Sequence, residues 1–473
     1  MTLSNWQKLL IRAGIVATFA LLPVWYRLPA PPPPLPPLYI SRFLILLPML
    51  WTIGCWLIFG LPGFAALRKD TTRAGWALAL LLLALWALAS PLWAFQRDTH
   101  PEVAANASLQ FAIVALFAVV VACAGPPRQA IVGVLVAGVL WNSVIAIAQI
   151  ANQGSIGLRA LGEFPLGVNQ PGIGYVQAEG ARWLRPYGLL PHPNMLAGFF
   201  AIGLLATLTW MAARQRVLWW AGALIFTLGW WSLLLTFSRG AWIGFAVGVF
   251  ATLPLLLRYH ADSNAHFLAN LASPCPAFLA GWRFNISPRL LLPLAIALAV
   301  GLIFAIIFRP FLAARAGIGD ESIELRSVSD RVVFATFAYN SIIERPIIGV
   351  GMGNFPWRAS YYLVNTDYDL RGDNVHHVLL SAWAELGLVG FVLLVIALVL
   401  GVEAVLRAFS NRNAEARAAI ALLGGFMALT AVGLLDHYPW TILHFQAAWW
   451  GLLATAFHPT TRLPSNEITA VQP

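Results

Sequence analysis

Four short stretches of this chain hold residue types that suit phosphate binding or proton transfer. Leu235-Thr236-Phe237-Ser238-Arg239-Gly240 joins two long apolar runs with almost no loop, which puts Arg239 at or just inside a membrane headgroup layer. An arginine there is costly without an anionic partner. Two readings stand: a snorkelling side chain that anchors a helix end, or a phosphate clamp, because a guanidinium fork matches phosphate oxygens. Arg182-Trp183-Leu184-Arg185-Pro186-Tyr187-Gly188 and Pro191-His192-Pro193-Asn194 bring Arg185 and His192 toward the start of another apolar run. Arg185 is either a second clamp or a loop arginine paired with Glu163 or Glu179. His192, between two prolines, reads as structural. Arg326, Asp330 and Arg331 open an amphipathic segment, where Arg331 either pairs with Asp330 or faces a lipid-borne anion.

Asp373-Asn374-Val375-His376-His377 precedes a very apolar run. His376 there lies near a helix N-terminus, whose dipole disfavours the imidazolium. A neutral imidazole accepts a proton, as a general base must. Asp369 or Asp373 with His376 and His377 form an alternative cation set, although their spacing matches no strong ligand motif. Glu385 follows His376 by nine residues on what reads as one helix, about 13 Å further down and on the opposite side. That offset favours a bond from Glu385 to another helix over a catalytic pair. Gly387 shares the face of His376 on the same reading, with Gly390 a turn beyond, where small residues allow close packing.

The elements that position these residues must be membrane helices. Of 473 residues, 60% are hydrophobic and 10% charged, against about 25% charged in soluble domains. Apolar runs of about 20 residues, enough to cross roughly 30 Å of hydrocarbon, recur at approximately 9–26, 39–60, 74–95, 104–124, 129–151, 194–213, 217–236, 241–257, 290–308, 376–406, 417–435 and 441–457. In lipid such runs must be helical. The expected fold is all-α: a single integral membrane domain over 1–473, a polytopic bundle of about twelve spans.

The formal charge of +10 sits largely in short loops and reads as topology, not as nucleic-acid binding. With the N-terminus inside, Lys8, Arg12, Arg68, Lys69, Arg73, Arg128, Arg214, Arg216, Arg407, Arg412, Arg417 and Arg462 fall inside, and both termini are cytoplasmic. The 21 Trp and 10 Tyr fit interfacial belts. Cys55, Cys123 and Cys275 form no CxxC pair and suggest neither a disulfide framework nor a metal site. The first run leads into the stiff tract Pro31-Pro32-Pro33-Pro34-Leu35-Pro36-Pro37, not into a cleavage site.

Two long loops fall outside, 152–193 and 309–375, and the second lies between spans nine and ten. Within it Val333, Phe334, Phe337, Ala338, Ser341 and Ile342 recur at helical spacing, with Ser329 a cap and Arg345-Pro346 the stop. This predicts a helix on the membrane surface or against the bundle. Gly349-Val350-Gly351-Met352-Gly353-Asn354-Phe355 lacks a nucleotide loop's context and reads as a turn that redirects the chain.

Taken together, the motifs resemble those of the O-antigen ligase and O-antigen polymerase superfamily of bacterial membrane glycan enzymes. The resemblance covers about residues 180–400. It rests on Thr236-x-Ser238-Arg239-Gly240, on Asp330-Arg331 followed by Glu344-Arg345-Pro346 through Phe355, and on His376-His377-x-x-Leu380 with Glu385-Leu386-Gly387-Leu388-Val389-Gly390. The Arg185…His192-Pro193-Asn194 stretch also fits. Position 377 is His where the family usually carries an amide. Glycine spacing selects His376 as the functional histidine.

The resemblance implies a glycan on undecaprenyl pyrophosphate at the outer leaflet of a bacterial inner membrane. It also implies metal-independent transfer to a glycan or lipid acceptor, without cofactor or nucleotide sugar. On that reading His376, Arg331 and Arg239 are catalytic, and Arg185, Ser238, His377, Asn194 and Glu385 contact substrate. The long second outer loop and its following histidine lean toward a ligase over a polymerase of repeat units. A transporter or flippase for a lipid-linked or anionic solute is the alternative of another class, and it calls for polar residues spread through the membrane interior.

Overall fold

The computed structural model describes residues 4–29, 42–212, 216–268, 288–318, 322–364, 373–408 and 414–457. The proline tract, Cys275 and Asp369 lie outside these, as do the side chains of Arg326 and Arg216. In chain order the first helices are α1 (Asn5–Ala20), α2 (Leu46–Ile58), α3 (Phe64–Lys69), α4 (Thr71–Ala89), α5 (Pro101–Ala124) and α6 (Arg128–Asn152). A hairpin follows, β1 (Tyr175–Ala178) and β2 (Ala181–Leu184), antiparallel with Tyr175 opposite Leu184. Next come α7 (Pro193–Ala212), α8 (Arg216–Leu235), α9 (Arg239–Leu268), α10 (Pro288–Ile307) and α11 (Arg309–Arg315). The chain continues through α12 (Ser322–Glu344), α13 (Phe355–Leu363), α14 (Val378–Ala408), α15 (Ala414–Gly433), α16 (Tyr438–Thr441) and α17 (Leu443–Phe457).

Each of the twelve expected runs holds a helix. Six of these helices are long and apolar enough to cross a membrane, and a seventh if α10 and α11, bent by 88°, form one broken span. Leu46–Ile58, Arg239–Leu255 and Arg417–Gly433 are apolar but shorter. At the centre α15 packs against α9, α7 and α17, with α14 on α4 and α17 on α5. Glycines allow these close approaches: a Cβ at Gly248 would stand 2.9 Å from the Gly424 carbonyl.

Segments expected on the outer side meet one another. Trp25 N–H donates to the Leu189 carbonyl at 2.9 Å, and Phe95 N–H to the Val350 carbonyl at 2.8 Å. The first outer loop is tied to the end of α6. Gln149 donates to Glu163 at 3.1 Å and accepts from the Tyr187 and Gly188 N–H groups. At the other end, Arg128 donates to the carbonyls of Thr455 and Ala456 near the end of α17, a favourable place for a cation at the negative pole of a helix.

Three local expectations change. Helix α12 begins at Ser322, so Ser329 lies inside it and does not cap it; the stop before Arg345-Pro346 holds. The hairpin in the first outer loop has no counterpart in the sequence reading. Helix α14 begins at Val378, after both histidines, and is broken at Gly387 (φ 66°, ψ −170°). Helical spacing therefore cannot place Gly387 on a shared face with His376.

The break has a physical cause in the glycine-rich turn. The freed backbone of 384–389 pairs with 346–351: Val350 N–H donates to Ala384 at 2.9 Å, Gly351 to Glu385 at 2.8 Å, and Leu388 to Pro346 at 2.8 Å. Trp86 and Trp93 satisfy the Leu386 and Ile348 carbonyls. A Cβ at Gly387 would stand 2.1 Å from the Ile347 oxygen, and one at Gly349 would stand 2.4 Å from that of Glu385. Two of the motifs read from sequence are thus halves of one backbone interlock.

Candidate active site

The turn between α8 and α9 is held from both sides. Phe237 takes a left-handed φ of 50°, a strained state that persists only when its surroundings fix it. Its buried ring packs on Phe304, Phe308 and Phe311. Thr236 Oγ1 accepts the Ser238 N–H at 3.3 Å. The 88° bend after α10 turns α11 back over this turn. Arg315 donates to the Phe237 carbonyl at 3.0 Å, and Arg239 donates to the Arg315 carbonyl.

Beside this stitch lies a small cavity. Its lining includes Asn194, Ser238, Arg239, Arg315, Arg331 and Asp436. Three guanidiniums from three helices therefore share one space. Burial pushes Arg315 down to about 9, and the fields of Arg185, Arg239 and Arg331 push in the same direction. A cluster of that kind is unfavourable alone and is relieved by an anion with several oxygens.

Arg185 is buried and stands one bond behind the lining. It donates to Asn194 Oδ1 at 2.6 Å and to the Thr236 carbonyl. Burial lowers it to about 10. It has no bond to Glu163, whose carboxylate is taken by Gln149 and by the Ile156 and Leu158 N–H groups. Asn194 passes the link on, donating Nδ2 to Asp436 Oδ2 at 3.1 Å. His192 Nδ1 accepts the Asn194 N–H at 3.1 Å, and burial, followed by the Arg185 charge, lowers it to about 3.

His376 meets the opposite side of the same carboxylate, with Nδ1 3.4 Å from Asp436 Oδ1. Its Nε2 is 3.9 Å from Asp373 Oδ2. Burial alone would raise the Asp436 carboxyl. The hydrogen bond to His376 and the neighbouring imidazoles outweigh it and hold the group well below the usual carboxylate range. An aspartate that takes Nδ1–H leaves Nε2 as the basic nitrogen. His377 points elsewhere: its Nδ1 accepts the Leu380 N–H at 3.3 Å, as an N-terminal cap does, and burial lowers its pKa.

Glu385 is buried and accepts from Trp440 Nε1 of α16 at 2.9 Å. It is apart from the cavity lining. Asp436, His437 and Arg315 escaped the sequence reading. The signal for Asp436 was present: an acid in Leu435-Asp436-His437-Tyr438, between the last two apolar runs and on the expected outer side. His376, Asp436 and His437 also form a set able to hold a metal ion, with one donor atom of each within 4.8 Å of the others. This differs from the set expected from sequence, because His377 is engaged as a cap.

Residues 224–395 match the family model described as O-Antigen ligase. That range includes Ser238, Arg239, Arg315, Arg331, His376, His377 and Glu385. No curated protein matches the chain.

Proposed function

We propose that this chain, whose residues 224–395 match the O-Antigen ligase family model, moves a glycan from undecaprenyl pyrophosphate to an acceptor hydroxyl at the outer leaflet. The observation that carries the reading is the cavity shared by Arg239, Arg315 and Arg331 and closed by Asp436, the partner of His376. The bond from the anomeric carbon to the pyrophosphate oxygen breaks as the acceptor oxygen bonds to that carbon. His376 Nε2 takes the acceptor proton. The arginines hold the charge that develops on the departing diphosphate, where preorganised donors contribute most. Asp436 is a positioning residue that fixes the histidine tautomer, and Arg185 acts through Asn194 to fix Asp436 in turn. Ser238 and Asn194 contact substrate from the cavity wall. His377 and Glu385 support helix α14.

The same reading takes the bundle as twelve crossings with both termini cytoplasmic and the cavity outermost. A ligase is favoured over a polymerase of repeat units on the form of the second outer loop. A transporter is disfavoured by the scarcity of interior charge. Among the described residues, the buried charged groups are Arg128, Glu163, Arg185, Glu385 and Asp436, and all but Glu385 lie at helix ends or in loops.

The test is transfer by purified protein with a lipid-linked glycan donor and two acceptors, a finished lipid core and a second lipid-linked unit. Loss of transfer in Arg239→Ala and Arg331→Ala is the expected result, and the acceptor used separates ligase from polymerase. Full transfer by both variants contradicts the clamp.

A further inference from the structure

The carboxylate that positions His376 also faces a second imidazole that the transfer reaction does not use. His437 Nε2 lies 3.9 Å from Asp436 Oδ1 and 3.9 Å from Asp373 Oδ1. The His376 and His437 rings stand 5.3 Å apart. The edge from His376 Nδ1 to Asp436 Oδ1 is 3.4 Å. A tetrahedral zinc ion with nitrogen and oxygen ligands at about 2.0–2.1 Å has donor–donor edges of about 3.4 Å. One edge therefore already fits, the 3.9 Å edge from His437 Nε2 to Asp436 Oδ1 needs about half an ångström of closure, and the donor atoms of the three residues all lie within 4.8 Å of one another. Two imidazoles with carboxylates suit zinc-like ions and not magnesium, which prefers an all-oxygen octahedron.

Arg239, Arg315 and Arg331 line the same cavity as Asp436, and Arg185 reaches it through Asn194. The Arg185 guanidinium is held by Asn194, which bonds to Oδ2, the carboxylate oxygen away from the imidazoles. Oδ1 accepts the His437 N–H at 2.8 Å and keeps a second lone pair. Asp373 is about half exposed and stands beside this group, with Oδ1 3.9 Å from His437 Nε2.

We propose that His376, Asp436 and His437 bind a divalent transition-metal ion that shuts off glycan transfer. The inference rests on His376 serving as the base. A metal on Nδ1 takes the place of the proton shared with Asp436. The imidazole proton then sits on Nε2, so the nitrogen that should accept the acceptor's proton becomes a donor. The ion inhibits by fixing the wrong tautomer.

Full-length protein in detergent, stripped with EDTA, is titrated with Zn²⁺ in competition with a chromophoric chelator, and Mg²⁺ serves as control. One Zn²⁺ per chain is expected for wild type, with no competition from Mg²⁺. His437→Ala and Asp436→Asn, each checked for a monodisperse elution profile, should bind at least about tenfold more weakly. Zn²⁺ should inhibit wild-type transfer, EDTA should reverse this, and His437→Ala should resist inhibition. Wild type that fails to compete for Zn²⁺, or equal binding by wild type and both variants, overturns the site. Transfer lost in EDTA and restored by Zn²⁺ overturns its inhibitory sense. Failure of the base assignment is read separately, as full transfer by His376→Ala, because the chelator competition does not depend on activity.

Discussion

Asp436 gives the residue scale its clearest test. Its carboxyl is held ionised by the His376 hydrogen bond and the neighbouring imidazoles, against the effect of burial. The sign follows from its depressed pKa. The group contributes stability that is complete above its unfolded value of about 3.9 and is lost as pH falls through the lower folded value. Between about pH 5 and 8 it therefore stays charged. Asp436→Asn should lower steady-state transfer at neutral pH, and a rate equal to that of wild type contradicts the positioning role. Arg315→Ala should cost about 10²-fold in kcat, the range for loss of one preorganised donor, with steady-state transfer as the measurement. Sequence made Arg239 and His376 legible because each sits at the edge of a strong apolar run, and Arg331 because it opens an amphipathic segment. Arg315 was not legible, because only the bend after α10 brings it back to Phe237.

At the element scale the interlock of 346–351 with 384–389 explains why α14 breaks where it does. Both motifs were visible in sequence, but as a loop and a helix face. Their pairing was hidden because helical periodicity runs through Gly387 without a sign that its backbone leaves the helix. Gly387→Ala places a Cβ 2.1 Å from a backbone oxygen at a φ of 66°. A cost of at least about 1–3 kcal/mol is expected, read as a lower thermal midpoint in detergent. Gly54→Ala, where a Cβ meets nothing within 4 Å, serves as the neutral control. Equal midpoints for the two variants would contradict the interlock. Likewise Ser329, read as a cap, lies within α12, because a serine suits a cap by propensity while the tertiary fold decides where the helix starts.

At the scale of the whole molecule the order of apolar runs was the strongest signal in the chain, and each run holds a helix. Sequence could not show how the outer segments meet, since those contacts join residues hundreds of positions apart, as between Asn194 and Asp436. The sidedness is open to direct labelling. Glu179→Cys, on the β-hairpin turn, should react with a membrane-impermeant maleimide in intact cells, and Arg68→Cys should react only after permeabilisation. The reverse pattern would invert the topology and move the cavity to the wrong face. The central claim, that His376, joined to this cavity through Asp436, performs the proton transfer, is tested most directly by single-turnover transfer with His376→Ala, alongside binding of the lipid-linked donor. The account predicts unchanged donor affinity and transfer slower by at least about 10²-fold; transfer at the wild-type rate would contradict it.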